Sequence, residues 1–232
     1  MVKNNKIAVI AGLGGCFDAL SQLRKELEIK DVSKVISLGN SVGLHYSIDN
    51  FIEQIKDFIL LPGCYEKVFI GEYPVPEGGA MGRTILLAEN KKNISDGSKH
   101  FLRSFKNNLT INNIFFSGCE HKKDSNKINF CFPISYSHLP FLNDLEAPPL
   151  PLNEKLALKE FCGKTIFPGL IYWSFGMGVS YYAIIDDNDI VFHKFTYKWN
   201  YDLNQITRMF GVIDPNEIEK YWNKYLQESE QK

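Results

Sequence analysis

Lys6-Ile7-Ala8-Val9-Ile10-Ala11-Gly12-Leu13-Gly14-Gly15-Cys16-Phe17-Asp18-Ala19-Leu20 sets the organisation of the chain. Ile7 to Ile10 is an unbroken aliphatic run, the pattern of a strand buried on both faces. Gly12, Gly14 and Gly15 form a turn that tolerates positive φ and close backbone approach. From Asp18 the period becomes helical, with Leu20, Leu23 and Leu27 on one face. Strand, glycine turn and helix build the ligand-binding edge of an α/β protein, because ligands sit beyond the carboxyl ends of such strands. Between Ile10 and Asp18, however, there is no carboxylate, histidine, lysine or hydroxyl. The edge is bare of chemistry.

The rest of the 232 residues fits one domain, 1–232, with a loop insertion at about 74–97 and an inserted segment at about 146–163. A 44% hydrophobic content supports a core, and a net charge of -1 leaves no basic footprint for nucleic acid or an anionic membrane. No apolar run reaches the ~18–20 residues of a membrane span, and Met1 to Lys6 lacks a signal-peptide core. Five cysteines, Cys16, Cys64, Cys119, Cys131 and Cys162, are odd in number and scattered, which argues against a disulfide framework. These features point to a soluble, cytoplasmic protein.

Along the first half, Val35 to Leu38 reads as a second strand ending in Gly39-Asn40. Ile48, Phe51, Ile52 and Ile55 mark a helix with Ser47 as N-cap, and Phe58 to Leu61 is a third strand stopped by Pro62-Gly63. This βαβαβ order implies a parallel sheet with right-handed crossovers. Pro74 to Gly82 is a loop by composition, and Ser95-Asp96-Gly97-Ser98 opens a short helix through Phe105. Ile114 to Phe116 and Ile128 to Ile134 read as strands around a polar loop, Glu120 to Lys127. Pro148 to Pro151 is a rigid connector to a helix over Glu154 to Phe161. Tyr181 to Ile185 and Ile190 to Phe195 form a hairpin across Asp186-Asp187-Asn188-Asp189, and Asp214-Pro215-Asn216-Glu217 starts a last helix.

Taken in order, these blocks resemble the calcineurin-like metallophosphoesterases, specifically the small bacterial phosphodiesterase-like members. Their opening Asp-x-His-Gly-Asn-Leu-x-Ala-Leu is matched by Gly12 to Leu20, and Leu-Gly-Asp-x-Val-Gly by Leu38-Gly39-Asn40-Ser41-Val42-Gly43. Gly-Asn-His-Asp is matched by Gly63-Cys64-Tyr65-Glu66, and the strand ending His-Gly by Phe116-Ser117-Gly118. Gly-His-Thr-His-x-Pro-Phe is matched by Ser135-Tyr136-Ser137-His138-Leu139-Pro140-Phe141, Asn-Pro-Gly-Ser by Phe167-Pro168-Gly169-Leu170, and the closing hairpin by Tyr181 to Phe195. The resemblance implies an α/β fold, a four-layer α/β/β/α sandwich of two mixed sheets.

It also implies where a two-metal site would lie: Gly12, Gly14, Asn40, Cys64, Tyr65, Ser117, Tyr136 and His138, of which His138 alone keeps its family identity. Two divalent cations need carboxylates and lone pairs in fixed geometry. Here the bridging carboxylate is the neutral Asn40, two ligands are glycines, and the proton-relay histidine is Tyr65, whose ordinary pKa of about 10 suits it poorly to that work. The expectation is a non-catalytic binding or regulatory module with no cofactor, acting on a protein partner or small ligand through this former active-site edge. One alternative is a phosphoesterase with a rearranged site for one divalent metal (Mn, Fe or Zn) on Asn40, Cys64 and His138. A second is a metal-free nucleotide or anion sensor using backbone N–H groups of the glycine turn.

Smaller features have plainer explanations. Tyr65 and Tyr136 either fill space left by metals or line a pocket that stacks a flat ligand. Cys16, Cys64, Cys119 and His138 would suit tetrahedral zinc but lack the usual short spacing, so ordinary thiols are expected. Gly12-x-Gly14 lacks the third glycine and the ribose-binding acid of a dinucleotide fingerprint. His45, His100, His121 and His193 read as surface or strand residues, and Asp186 to Asp189 as a turn rather than a calcium loop.

Overall fold

The computed structural model describes residues 6–43, 47–75, 81–118, 123–132, 140–142, 149–171 and 178–197, with the side chains of 81–86 and of 141 excepted. The Ile7–Ile10 run is β1, followed by α1 (Phe17–Ile29), β2 (Lys34–Ser37), α2 (Ile48–Gln54), β3 (Ile59–Leu60) and α3 (Cys64–Ile70). Two more helices follow, α4 (Met81–Asn93) and α5 (Asp96–Arg103), and then β4 (Asn108–Ile111), β5 (Ile114–Ser117) and β6 (Ile128–Cys131). The chain continues through β7 (Phe141–Leu142), β8 (Leu156–Ala157), a 3-10 turn (Leu158–Phe161), β9 (Thr165–Phe167), β10 (Val179–Asp186) and β11 (Asp189–Thr196).

Both sheets are mixed. The first has the order β3-β2-β1-β10-β11-β8, with β1, β2 and β3 parallel as the βαβαβ pattern requires and β10 antiparallel to β1. The second has the order β4-β5-β6-β9-β7, with β5, β6 and β9 parallel and the outer strands antiparallel. Period-2 alternation divides the residues of β1 between two cores. Ala8 and Ile10 face the helices, with Leu20, Leu23, Leu27, Phe51 and Leu102. Ile7 and Val9 face the second sheet, with Phe116, Phe130, Ile166 and Phe192. The described layers are therefore helices, first sheet, second sheet. The outer face of the second sheet, with Ser117, Asn129, Cys131, Thr165 and Phe167, is buried as well.

Several local expectations need correction. Ser47 precedes α2, but with φ 64 it is left-handed and its hydroxyl makes no cap bond. The loop read as far as Gly82, inside the 74–97 insertion, gives way at Met81 to α4, because Leu87 and Ile94 find the helix-side core. Ser95 does cap α5, accepting a hydrogen bond from the Ser98 N–H at 3.2 Å. No α-helix forms over Glu154 to Phe161: Leu156 and Ala157 pair with Ile190 and Asp189 as an edge strand, and only a 3-10 turn follows. The hairpin closes with Asp187 at φ 53, so the acidic run is a turn. Residues 76–80, the end of the strand read to Ile134, Cys119, His45, His121, Tyr136, His138 and the last helix from Asp214 lie outside the described residues.

Candidate functional site

The parallel strands β1, β2 and β3 end together, and the loops that follow them are tied backbone to backbone. The N–H groups of Gly12, Gly14 and Gly15 donate to the carbonyls of Gly39, Asn40 and Ser41 at 2.9, 2.8 and 2.8 Å. Cys16 N–H donates to Leu13 C=O at 3.0 Å. The glycine turn thus extends the β1–β2 pairing beyond the sheet. The anion-sensor expectation needed these same N–H groups, and they are already spent on carbonyls.

The second and third loops meet at a buried carboxylate. Glu66, at the third position of α3, is 1% exposed. Its Oε2 accepts from Asn40 N–H at 2.9 Å and Gly63 N–H at 2.8 Å, and its Oε1 accepts from Val42 N–H at 3.0 Å. In return, Asn40 Oδ1 accepts the N–H of Tyr65 at 3.0 Å. Burial pushes the Glu66 carboxyl above its usual range, and the N–H groups of Val42, Gly63 and Asn40 oppose that shift. Asn40 sits at φ 50, a left-handed conformation that asparagine tolerates better than most residues. Sequence reasoning missed this carboxylate. The signal was present in Gly63-x-x-Glu66, the spacing that lets a helix N3 glutamate bond the N-cap N–H.

The approach of the loops is too tight for side chains. A Cβ on Gly63 would lie 2.1 Å from Asn40 N, and one on Gly118 would lie 2.3 Å from Pro62 O. Gly118 follows β5, so this contact brings the end of the second sheet against the β3–α3 loop. Gly12, Gly14, Asn40, Cys64, Tyr65 and Ser117 are thereby collected along one edge. Tyr136 and His138 lie outside the described residues.

The side chains do different things. Tyr65 contributes its backbone N–H to the edge, but its ring is 7% exposed and packs in the helix-side core against Gly43. Cys64 is half-buried at the first residue of α3. Ser117 is buried, and its hydroxyl has no hydrogen-bond partner among the described residues. Cys16 lies in the helix-side core, where burial pushes its thiol up to about 12. Cys16, Cys64, Cys131 and Cys162 form no disulfides.

Among the described residues, no three His, Cys, Asp or Glu side chains converge as metal ligands do. The described family positions do not fit a two-metal cage. Two carry no side chain, the oxygen of Asn40 already accepts from Tyr65, and the carboxylate of Glu66 is spent on three backbone donors.

No protein-family model matches the chain. No curated protein matches it either. Solved structures do. A metallophosphoesterase from Sphaerobacter thermophilus superposes with a TM-score of 0.66 at 17% identity, over 94% of this chain and 99% of that one. A putative diadenosine tetraphosphatase superposes with a TM-score of 0.51 at 10% identity, over 86% and 96% of the two chains. The chain has the fold of the calcineurin-like metallophosphoesterases, and at these identities the likeness is one of architecture.

Proposed function

We propose that this protein is a non-catalytic metallophosphoesterase-like module that binds a protein partner or small ligand through the remodelled edge around Gly12, Asn40, Tyr65, Tyr136 and His138. The observation that carries this reading is the state of Asn40. At the position where the family resemblance puts a metal-bridging aspartate stands a neutral side chain, its oxygen turned to the Tyr65 N–H and its own N–H to Glu66. A bridging ligand must offer negative oxygen to two cations. This one offers none. Gly12 and Gly14 support the reading, because their backbone is used to hold the edge together.

The test is a manganese titration of chelator-treated protein followed by thermal unfolding, with bis-p-nitrophenyl phosphate turnover on the same samples. A metal at about 100 times its dissociation constant adds ~2.7 kcal/mol of stability. The expected result is no saturable rise in Tm and no metal-dependent turnover. Turnover that requires manganese and disappears in His138→Ala would overturn the proposal and favour the single-metal phosphoesterase.

A further inference from the structure

The sandwich has a second recessed surface, on the side where both sheets end. β3 is the edge strand of the first sheet and β4 that of the second. The chain passes between them, because α5 lies in the helical layer and β4 in the far sheet. Residues 104–107 make this crossing without pairing to β3, and a slot of about 250 Å³ remains. Its walls are Phe58, Ile59 and Leu60 on one side and Phe101, Phe105 and Leu109 on the other.

Three features define what would fit. Leu61 N–H donates to Ser37 C=O at 2.9 Å, so by the alternation of a parallel ladder the N–H and C=O of Leu60 point away from β2, toward the slot. A strand edge of this kind is satisfied by extended backbone rather than by a compact apolar molecule. Phe101, Phe105, Ile59 and Leu109 are half-buried and offer apolar contact for alternate side chains of such a segment. At the rim, Lys106 is exposed and makes no ion pair with a described residue, and no acidic side chain lines the slot. Lys56, whose Nζ lies 5.9 Å from the Phe101 ring, is already paired with Glu53 at 2.6 Å, so Lys106 is the cation the slot offers.

We infer that this slot docks an extended segment of a partner protein, with apolar side chains entering between β3 and the 104–107 crossing and an acidic residue meeting Lys106. The surface is separate from the former active-site edge, so the inference stands independently of the function proposed above.

The test is selection of the full-length protein against an array of random octapeptides, repeated with Lys106→Glu and Phe105→Asp. Enriched sequences should alternate apolar residues with at least one Asp or Glu. Lys106→Glu, a surface change compatible with folding, should weaken the best acidic peptide at least tenfold and shift selection to Lys or Arg. Phe105→Asp should abolish enrichment, with its thermal melt establishing that it folds. Failure to enrich any motif, or equal binding of the selected peptide by Lys106→Glu, would overturn the inference. So would concentration-dependent dimerisation lost in Lys106→Glu, which would make a second copy of the chain the occupant.

Discussion

Asn40→Asp, which puts an aspartate where the family resemblance expects one, should destabilise the protein, and the cost can be worked from the geometry. Asn40 Oδ1 and Glu66 Oε2 lie 2.4 and 2.8 Å from one point, the place a Cβ on Gly63 would occupy. Two carboxylate oxygens there could be no more than about 5 Å apart, which at an effective dielectric of about 20 is a repulsion of about 3 kcal/mol. Both residues are buried, Asn40 at 3% and Glu66 at 1% exposure, so solvent screens the pair little. The assay is equilibrium urea unfolding in chelator at several pH values, with Asn40→Ala as control. The control loses the acceptor for Tyr65 N–H, about 1–3 kcal/mol, by a mechanism in which position 40 adds no titrating group. For Asn40→Asp, mutual repulsion raises the folded-state pKa of the pair above the unfolded value near 4. Its penalty is therefore small below about pH 4 and grows as pH rises through the folded pKa. An Asn40→Asp protein as stable as the parent at pH 7, or a penalty that does not change with pH, would refute the argument.

Other substitutions probe the same edge and the core behind it. Glu66→Ala leaves three buried N–H groups unpaired and should cost on the order of 4 kcal/mol, more than Glu66→Gln, which keeps an acceptor; denaturant midpoints compare them. Gly63→Ala forces a Cβ onto backbone at 2.1 Å and should cost more than about 3 kcal/mol, read as a lower melting temperature. Iodoacetamide at pH 8 should label the exposed Cys162 and leave Cys16, pushed up to about 12 by burial, unlabelled until the protein unfolds; peptide mass spectrometry locates the label. His193 is pushed down to about 4 by desolvation, so the unfolded chain takes its proton first. Stability should fall as pH drops from about 6.5 toward 4, and His193→Gln should flatten that slope in thermal melts.

The sheets were legible in the sequence wherever burial is simple. Ile7–Ile10 and the β10–β11 hairpin announce themselves because one residue type answers one environment along each strand. Elements whose formation depends on remote partners were not legible. Leu156-Ala157 is a strand because β11 offers it an edge, and nothing within Pro148 to Phe161 encodes that. α4 was hidden by the glycine-rich run before it, and β4 by the polar Asn107-Asn108 and Asn112-Asn113 around Leu109-Thr110-Ile111. At the site, the neutral side chain at Asn40 and the glycines at 12 and 14 could be read from the sequence. The work of Glu66 was legible only in part: Gly63-x-x-Glu66 signals the bond to the N-cap N–H, but the donors Asn40 and Val42 come from another loop and leave no trace in side-chain pattern.

The resemblance motifs can now be divided by physical role. Gly39, Gly63, Gly118 and the acid at position 66 all match, and each is required by backbone geometry. A Cβ on Gly39 would sit 2.5 Å from Gly63 Cα, and Glu66 is the shared acceptor of both loops. The positions that differ, Gly12, Gly14, Asn40, Cys64, Tyr65 and Ser117, are those the family resemblance assigns to cations or proton transfer. Such a division has an electrostatic logic. A buried Glu66 is tolerable beside a carboxylate at position 40 only if cations neutralise that carboxylate. Without them the pair repels, and a neutral Asn40 that accepts the Tyr65 N–H removes the repulsion while keeping the loop closed. The backbone ties that shape the edge draw on no charge from Gly12, Gly14, Asn40, Cys64, Tyr65 or Ser117, so the fold tolerates a neutral residue at each of them.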